Sequence, residues 1–125
     1  MSHNIESFKV ASTLAAFRIV GIAPTAETVV YPTATSTPIL GVSIDTVLDT
    51  TSSIPVKTHG LQKVTFNDTV SAQGLVTADS SGYAVPYTAA TAASWYVGVL
   101  VGAAVTATGT VANIMIMPGY ASTSA

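Results

Sequence analysis

The sequence predicts an all-β protein, a small antiparallel barrel or sandwich of short strands preceded by an extended N-terminal arm. Three observations lead there. Short β-branched runs recur along the chain, each bounded by turn residues. No segment has the length and the roughly 3.6-residue period of a core helix. Charged residues make up only 8% of the chain, against about 25% in an ordinary soluble domain. With 125 residues the chain is one domain's worth, enough to bury roughly two thirds of its unfolded surface.

Residues 1–17 mix polar and apolar types, with Ile5, Phe8 and Phe17 as the bulky ones. A short helix around Ala11–Phe17 is weakly supported, because Ser, Thr and β-branched residues are poor helix formers. The region reads as an arm whose apolar side chains order on a partner. From Arg18 onward the chain is strand-like, giving a single β domain over 18–120 and a small polar tail over 121–125.

The expected strands are Phe17–Ile22, Thr28–Tyr31, Ile39–Ile44, Ile54–Thr58, Lys63–Phe66, Leu75–Ala78, Ala84–Tyr87, Tyr96–Val101 and Asn113–Met117. Turn signals fall at Pro24-Thr25, Asn67-Asp68, Asp79–Gly82 and Thr108-Gly109. In the central hairpin, Asp79 and Ser80 suit a type I turn. Gly82 supplies the positive φ that closes it.

A faint internal echo is present. Ile39-Leu40-Gly41-Val42-Ser43-Ile44 resembles Tyr96-Val97-Gly98-Val99-Leu100-Val101, and each is followed by an Ala/Thr/Ser-rich turn, a second β segment and a glycine. Two similar β units packed around one core would account for it. Gly41 and Gly98 would then mark bulges or close backbone approach.

Composition narrows the function classes. Apolar residues reach 49% and mean hydropathy is +0.55, yet no run approaches the roughly 20 residues of a membrane span. So few charges point to surface hidden in an assembly. A net charge of −2, with Lys9, Arg18, Lys57 and Lys63 scattered, gives no footprint for nucleic acid. The absence of cysteine excludes a disulfide framework and a Cys-based zinc site. At the N-terminus Glu6 interrupts the would-be basic region of a signal peptide, so the expected place of synthesis and assembly is a cytoplasm.

Chemistry is hard to build from what remains. His3 and His59 cannot form a His-rich zinc site. Asp45 and Asp49 flank Val47-Leu48, and a hydrolase using them is conceivable, but turn capping is the commoner use of Asp. No multi-oxygen calcium loop, nucleophile elbow, phosphate loop or dinucleotide fingerprint occurs. The expectation is a protein without catalytic residues, metal or cofactor. Tyr83 and Tyr87 share one face of the hairpin, and Trp95 lies nearby in sequence. They support an alternative reading, a small β-module binding carbohydrate on a virion or cell surface, although interface or core packing is the usual role of such rings.

The cadence of Pro38-Ile39-Leu40-Gly41-Val42-Ser43, Val56-Lys57-Thr58-His59-Gly60, the run Val70–Ala84, Val97-Gly98-Val99 and the terminal Ile114-Met115-Ile116-Met117-Pro118-Gly119 resembles the small capsid decoration, or cement, proteins of tailed phages. The likeness spans roughly residues 18–120 and rests on structural motifs. It departs from the family at Gln73-Gly74-Leu75, where the family usually has Gly then Asp. The resemblance implies a β-rich homo-oligomer, a trimer above all, on the outer surface of the virion's capsid. There it would bind the major capsid protein and stabilise the shell, gripping several capsid subunits by a terminal arm or loop. Ile5, Phe8, Phe17, Arg18, Tyr83, Tyr87 and Trp95 are the candidate capsid or subunit contacts, with Asp79 and Gly82 as the structural turn.

Overall fold

A computed structural model describes residues 5–10, 13–23, 28–32, 38–47, 53–87 and 94–121. Among these residues there is no helix, and ten strands account for the fold: β1 (Ile5–Val10), β2 (Ile19–Ile22), β3 (Thr28–Val30), β4 (Ile39–Ser43), β5 (Ser53–Lys57), β6 (Gly60–Thr65), β7 (Leu75–Ala78), β8 (Ala84–Pro86), β9 (Ser94–Leu100) and β10 (Val111–Ala121). The first five close into a barrel in the order β1-β3-β2-β4-β5, and the second five form a sheet in the order β6-β10-β9-β7-β8. Alternation drives the packing. In β5, Ile54 and Val56 are fully buried while the residues between and beside them are not.

The arm expected over residues 1–17 is corrected. Residues 5–10 are the strand that closes the barrel, running antiparallel to β5, with Phe8 opposite Ile54, and parallel to β3. Leu14 is only 1% exposed, and residues 13–17 form no helix. The polar residues of Ile5–Val10 hid this strand, yet closure gives its backbone partners on both sides, which outweighs weak side-chain propensity. Residues 1–4 and 11–12 lie outside the described residues, as do the expected turn at Pro24-Thr25, the last four residues of the tail and Asp49.

The echo between the Gly41 and Gly98 segments extends over nearly the whole chain, because the second sheet repeats the barrel strand for strand. β1 with β5 corresponds to β6 with β10, where Val64 stands opposite Ala112 as Phe8 does opposite Ile54. Ser43 faces Val56 between β4 and β5, and Leu100 faces Ile114 between β9 and β10. Val20 faces Gly41, and Val76 faces Gly98. Single bridges outside the strands match as well, Leu14 with Val47 and Val70 with Val105. The parallel contact of β1 with β3 survives in the second unit as one bridge between Phe66 and Ala84. Even a rare backbone state recurs: Phe17 and Gln73, just before β2 and β7, have φ of 60° and 64°.

Both strand glycines mark close approach. A Cβ on Gly41 would run into the Lys57 carbonyl, and one on Gly98 into that of Met115. The β2–β4 register also slips at this point, with Val20 opposite Gly41 but Gly21 opposite Ile39. Leu40 thereby packs on the barrel core while Val42 turns away from it.

The units fill two cores, where the echo predicts one. Val10, Leu14, Val20, Val29, Val47, Ile54 and Val56 fill the barrel. A second cluster is built on Val64, Phe66, Val97, Leu100 and Ile114 of the second unit, and Ile19, Ile39 and Val42 of the first reach into it. The outer face of β2 and β4 therefore completes the second unit's core.

Candidate functional site

The residues singled out from the sequence converge mainly on the joint between the two units. The Asp79–Gly82 turn follows from its side chains. Asp79 Oδ1 accepts hydrogen bonds from the amides of Ser81 (2.9 Å) and Tyr83 (3.0 Å), and its carbonyl accepts one from the amide of Gly82 (3.0 Å). Asn67 Nδ2 donates to Asp79 Oδ2 at 3.1 Å, tying in the neighbouring turn. Gly82 has the expected positive φ, 81°.

What the sequence did not reveal is where this turn docks. The Gly82 carbonyl accepts a 2.7 Å hydrogen bond from the amide of Ile19 in the first unit. A Cβ on Gly82 would come within 2.6 Å of Tyr31 Cδ1, so the glycine also makes room for that ring. Tyr31 lies one residue past β3, and its hydroxyl accepts a 2.7 Å bond from the amide of Ala15. Its role here comes from tertiary packing, and no motif in the sequence marks it.

Arg18 locks the joint from the other side. Its guanidinium lies 3.7 Å from the Tyr83 ring centre and 5.9 Å from that of Tyr31. Nη2 donates to the Tyr83 hydroxyl (2.7 Å) and Nη1 to the Ser81 carbonyl (3.0 Å). Ser43, fully buried, donates from Oγ to the Ala15 carbonyl at 2.6 Å. Thr65 of the second unit donates its amide to the Phe17 carbonyl at 2.9 Å.

The other candidates stand apart from the joint. Tyr87 meets Tyr96 edge to face, with ring centres 5.4 Å apart. Trp95 packs partly buried against the second core, and Phe8 does the same against the barrel core. Ile5 is exposed on the barrel's outside.

Groups weighed for chemistry are scattered. Asp45 Oδ1 accepts from the amide of Thr46 (2.9 Å) and Asp68 Oδ1 from that of Thr69 (2.7 Å), both ordinary turn capping. His59 is exposed at the β5–β6 turn, with Nδ1 3.3 Å from the Thr58 hydroxyl. Among the described residues no three His, Cys, Asp or Glu side chains gather as a metal site would require. A cleft beside the joint, lined by Thr13, Leu14, Ala15, Arg18, Tyr31 and Thr46, holds about 210 Å³, below the roughly 300 Å³ at which small-molecule sites begin.

No family model matches the chain, and no curated protein sequence matches it. Among solved structures it is similar to the head fiber gp8.5 N base of bacteriophage phi29. The TM-score is 0.68 at 15% sequence identity, and the match covers 90% of this chain and 92% of that one. At this identity the likeness is one of fold.

Proposed function

We propose that this chain is a structural protein of a phage virion, a decoration protein that binds the outer surface of the capsid as a homotrimer and stabilises the shell by bridging major capsid subunits. The observation that carries this reading is the fold, shared over nine tenths of the chain with the base of a phage head fiber. The sequence resemblance to cement proteins reaches the same class independently, and a surface with so few charges suits burial between subunits. With residues 5–10 built into the barrel, attachment falls to the outer faces and loops of the two units, and a trimer gains avidity by engaging several shell sites at once.

No specific observation favours the carbohydrate module. Tyr83 is stacked under Arg18, Tyr87 leans on Tyr96, and Trp95 is packed against the second core.

Co-sedimentation of the purified chain with capsids of the phage that encodes it tests the proposal, with electron microscopy of the pelleted particles. Saturable binding with added density on the outer surface is expected. Capsids that pellet without the chain, at concentrations well above the site concentration, would remove the capsid-binding role.

A further inference from the structure

The cleft beside the joint is small, but its polar walls are chemically one-sided. Leu14 lines it from within the barrel core, and Thr13 and Thr46 stand exposed at its rim. The backbone along it has no amide left to offer. Leu14 and Phe17 donate theirs to the carbonyls of Val47 and Ser43, and Arg18 donates to Ser43 Oγ. The amides of Ala15 and Ala16 donate to the Tyr31 hydroxyl (2.7 Å) and to Thr46 Oγ1 (3.0 Å). Each of these two hydroxyls thus receives a hydrogen on its oxygen and keeps its own hydrogen to give.

Arg18 is the one charged residue on the cleft wall. Its two partners, the Ser81 carbonyl and the Tyr83 hydroxyl, are neutral. Among the described residues no carboxylate pairs with it, and its guanidinium has further N–H groups to donate. Asp45, next to Thr46 in sequence, caps the Thr46 amide at 2.9 Å and does not line the cleft. Spare donors around an uncompensated guanidinium select an acceptor that carries negative charge. The planar fork of arginine matches a carboxylate, and a single cation is a poor receptor for a polyphosphate backbone. At about 210 Å³ the cleft is too small for the free ligands of ordinary pockets and suits one side chain.

We infer that this cleft is a receptor for one carboxylate, the acidic side chain of the protein on which the chain docks. Arg18 supplies the charge, and the Tyr31 and Thr46 hydroxyls supply direction. Tyr83 and Ser81 of the second unit hold the guanidinium in place beforehand, so little ordering is left for binding to do. The inference rests on the proposed function only in taking that protein to be a capsid subunit.

Arg18 is the only arginine in the sequence, so its Nε–H resonance is unambiguous by NMR. The full chain is titrated with N-acetylglutamate amide and with the neutral isostere N-acetylglutamine amide. A saturable shift with the glutamate alone is expected, lost in Thr13→Glu, whose own carboxylate reaches the cleft from an exposed position. No shift with the glutamate, or an equal shift with both, overturns the receptor. Co-sedimentation then separates the contact from the function. Thr13→Glu is expected to raise the dissociation constant for capsids by about tenfold or more, and Thr13→Gln by much less. Equal binding of wild type and Thr13→Glu, or equal loss in both variants, overturns the carboxylate contact and leaves capsid binding standing. A wild type that shifts with the glutamate but never pellets with capsids removes the capsid as partner and upholds the receptor.

Discussion

Arg18 and Tyr83 are joined twice, by a guanidinium 3.7 Å from the ring centre and by a 2.7 Å hydrogen bond from Nη2 to the phenolic oxygen. One residue begins the approach to β2 and the other the approach to β8, so this pair clasps the first unit to the second. Arg18→Ala should lower stability by about 1–2 kcal/mol, the worth of a half-buried cation–π contact with its hydrogen bonds. Arg18→Lys should recover only part of that, since the fork reaching both Tyr83 and Ser81 is lost. Urea midpoints check both, and a double-mutant cycle with Tyr83→Phe should return a non-zero coupling.

Gly82 and Gly109 separate backbone strain from contact. Their φ angles are 81° and 83°, but a Cβ on Gly82 would strike Tyr31 and the Ile19 carbonyl, while one on Gly109 would meet nothing within 4 Å. Gly109→Ala should cost about 1 kcal/mol, the conformational penalty alone. Gly82→Ala should cost at least about twice that, and Gly82→Val more. Equal losses in thermal or urea unfolding would show that the turn does not seat on Tyr31.

Gly41→Ala and Gly98→Ala test the repeat. Neither glycine needs a positive φ, so any loss comes from pushing apart strands whose carbonyls the new Cβ would hit. Both substitutions should destabilise by about 2–3 kcal/mol or more, and by similar amounts. A tolerated Gly98→Ala beside a ruinous Gly41→Ala would mean that the two close approaches are not equivalent.

Removing residues 1–16 should unfold the first unit. The deletion takes away β1, its pairing on both sides and the buried Val10 and Leu14, each worth roughly 1.5–3 kcal/mol on burial. Against a total stability of about 5–15 kcal/mol, that loss is not survivable for the barrel. Far-UV circular dichroism should show it directly. A truncated chain with an unchanged spectrum would return these residues to the role of an arm.

Nine of the ten strands were legible in the sequence, because β-branched runs and turn residues act locally. β1 was not, since Ser7 and Lys9 lack β propensity and its strand state comes from partners at Thr28 and Lys57. Phe17 was expected inside β2, but its left-handed φ ends the strand short of it. The Asp79–Gly82 turn could be read because its hydrogen bonds lie within five residues. Its seat on Tyr31 and Ile19 is tertiary and left no local trace. The repeat showed only around Gly41 and Gly98. Elsewhere equivalent positions hold different residues, such as Ser43 and Leu100, that suit different surroundings.

Closure of the barrel by its first strand has a consequence for how the chain reaches this state. Ile5–Val10 finds its antiparallel partner only once Ser53–Lys57 exists, and the second unit repeats the delay with Gly60–Thr65 and the strand that starts at Val111. Pairing over such separations makes for slow folding. During synthesis the first barrel can form while Ile19 and Val42 still lack the second unit, leaving sticky surface open for that interval. The shared strand order adds a competitor, because β6 offers β5 the geometry that β1 should supply. Refolding from denaturant is therefore expected to be slowed by this competing pairing. A chain of one domain's length thus carries the kinetic hazard of a multidomain protein.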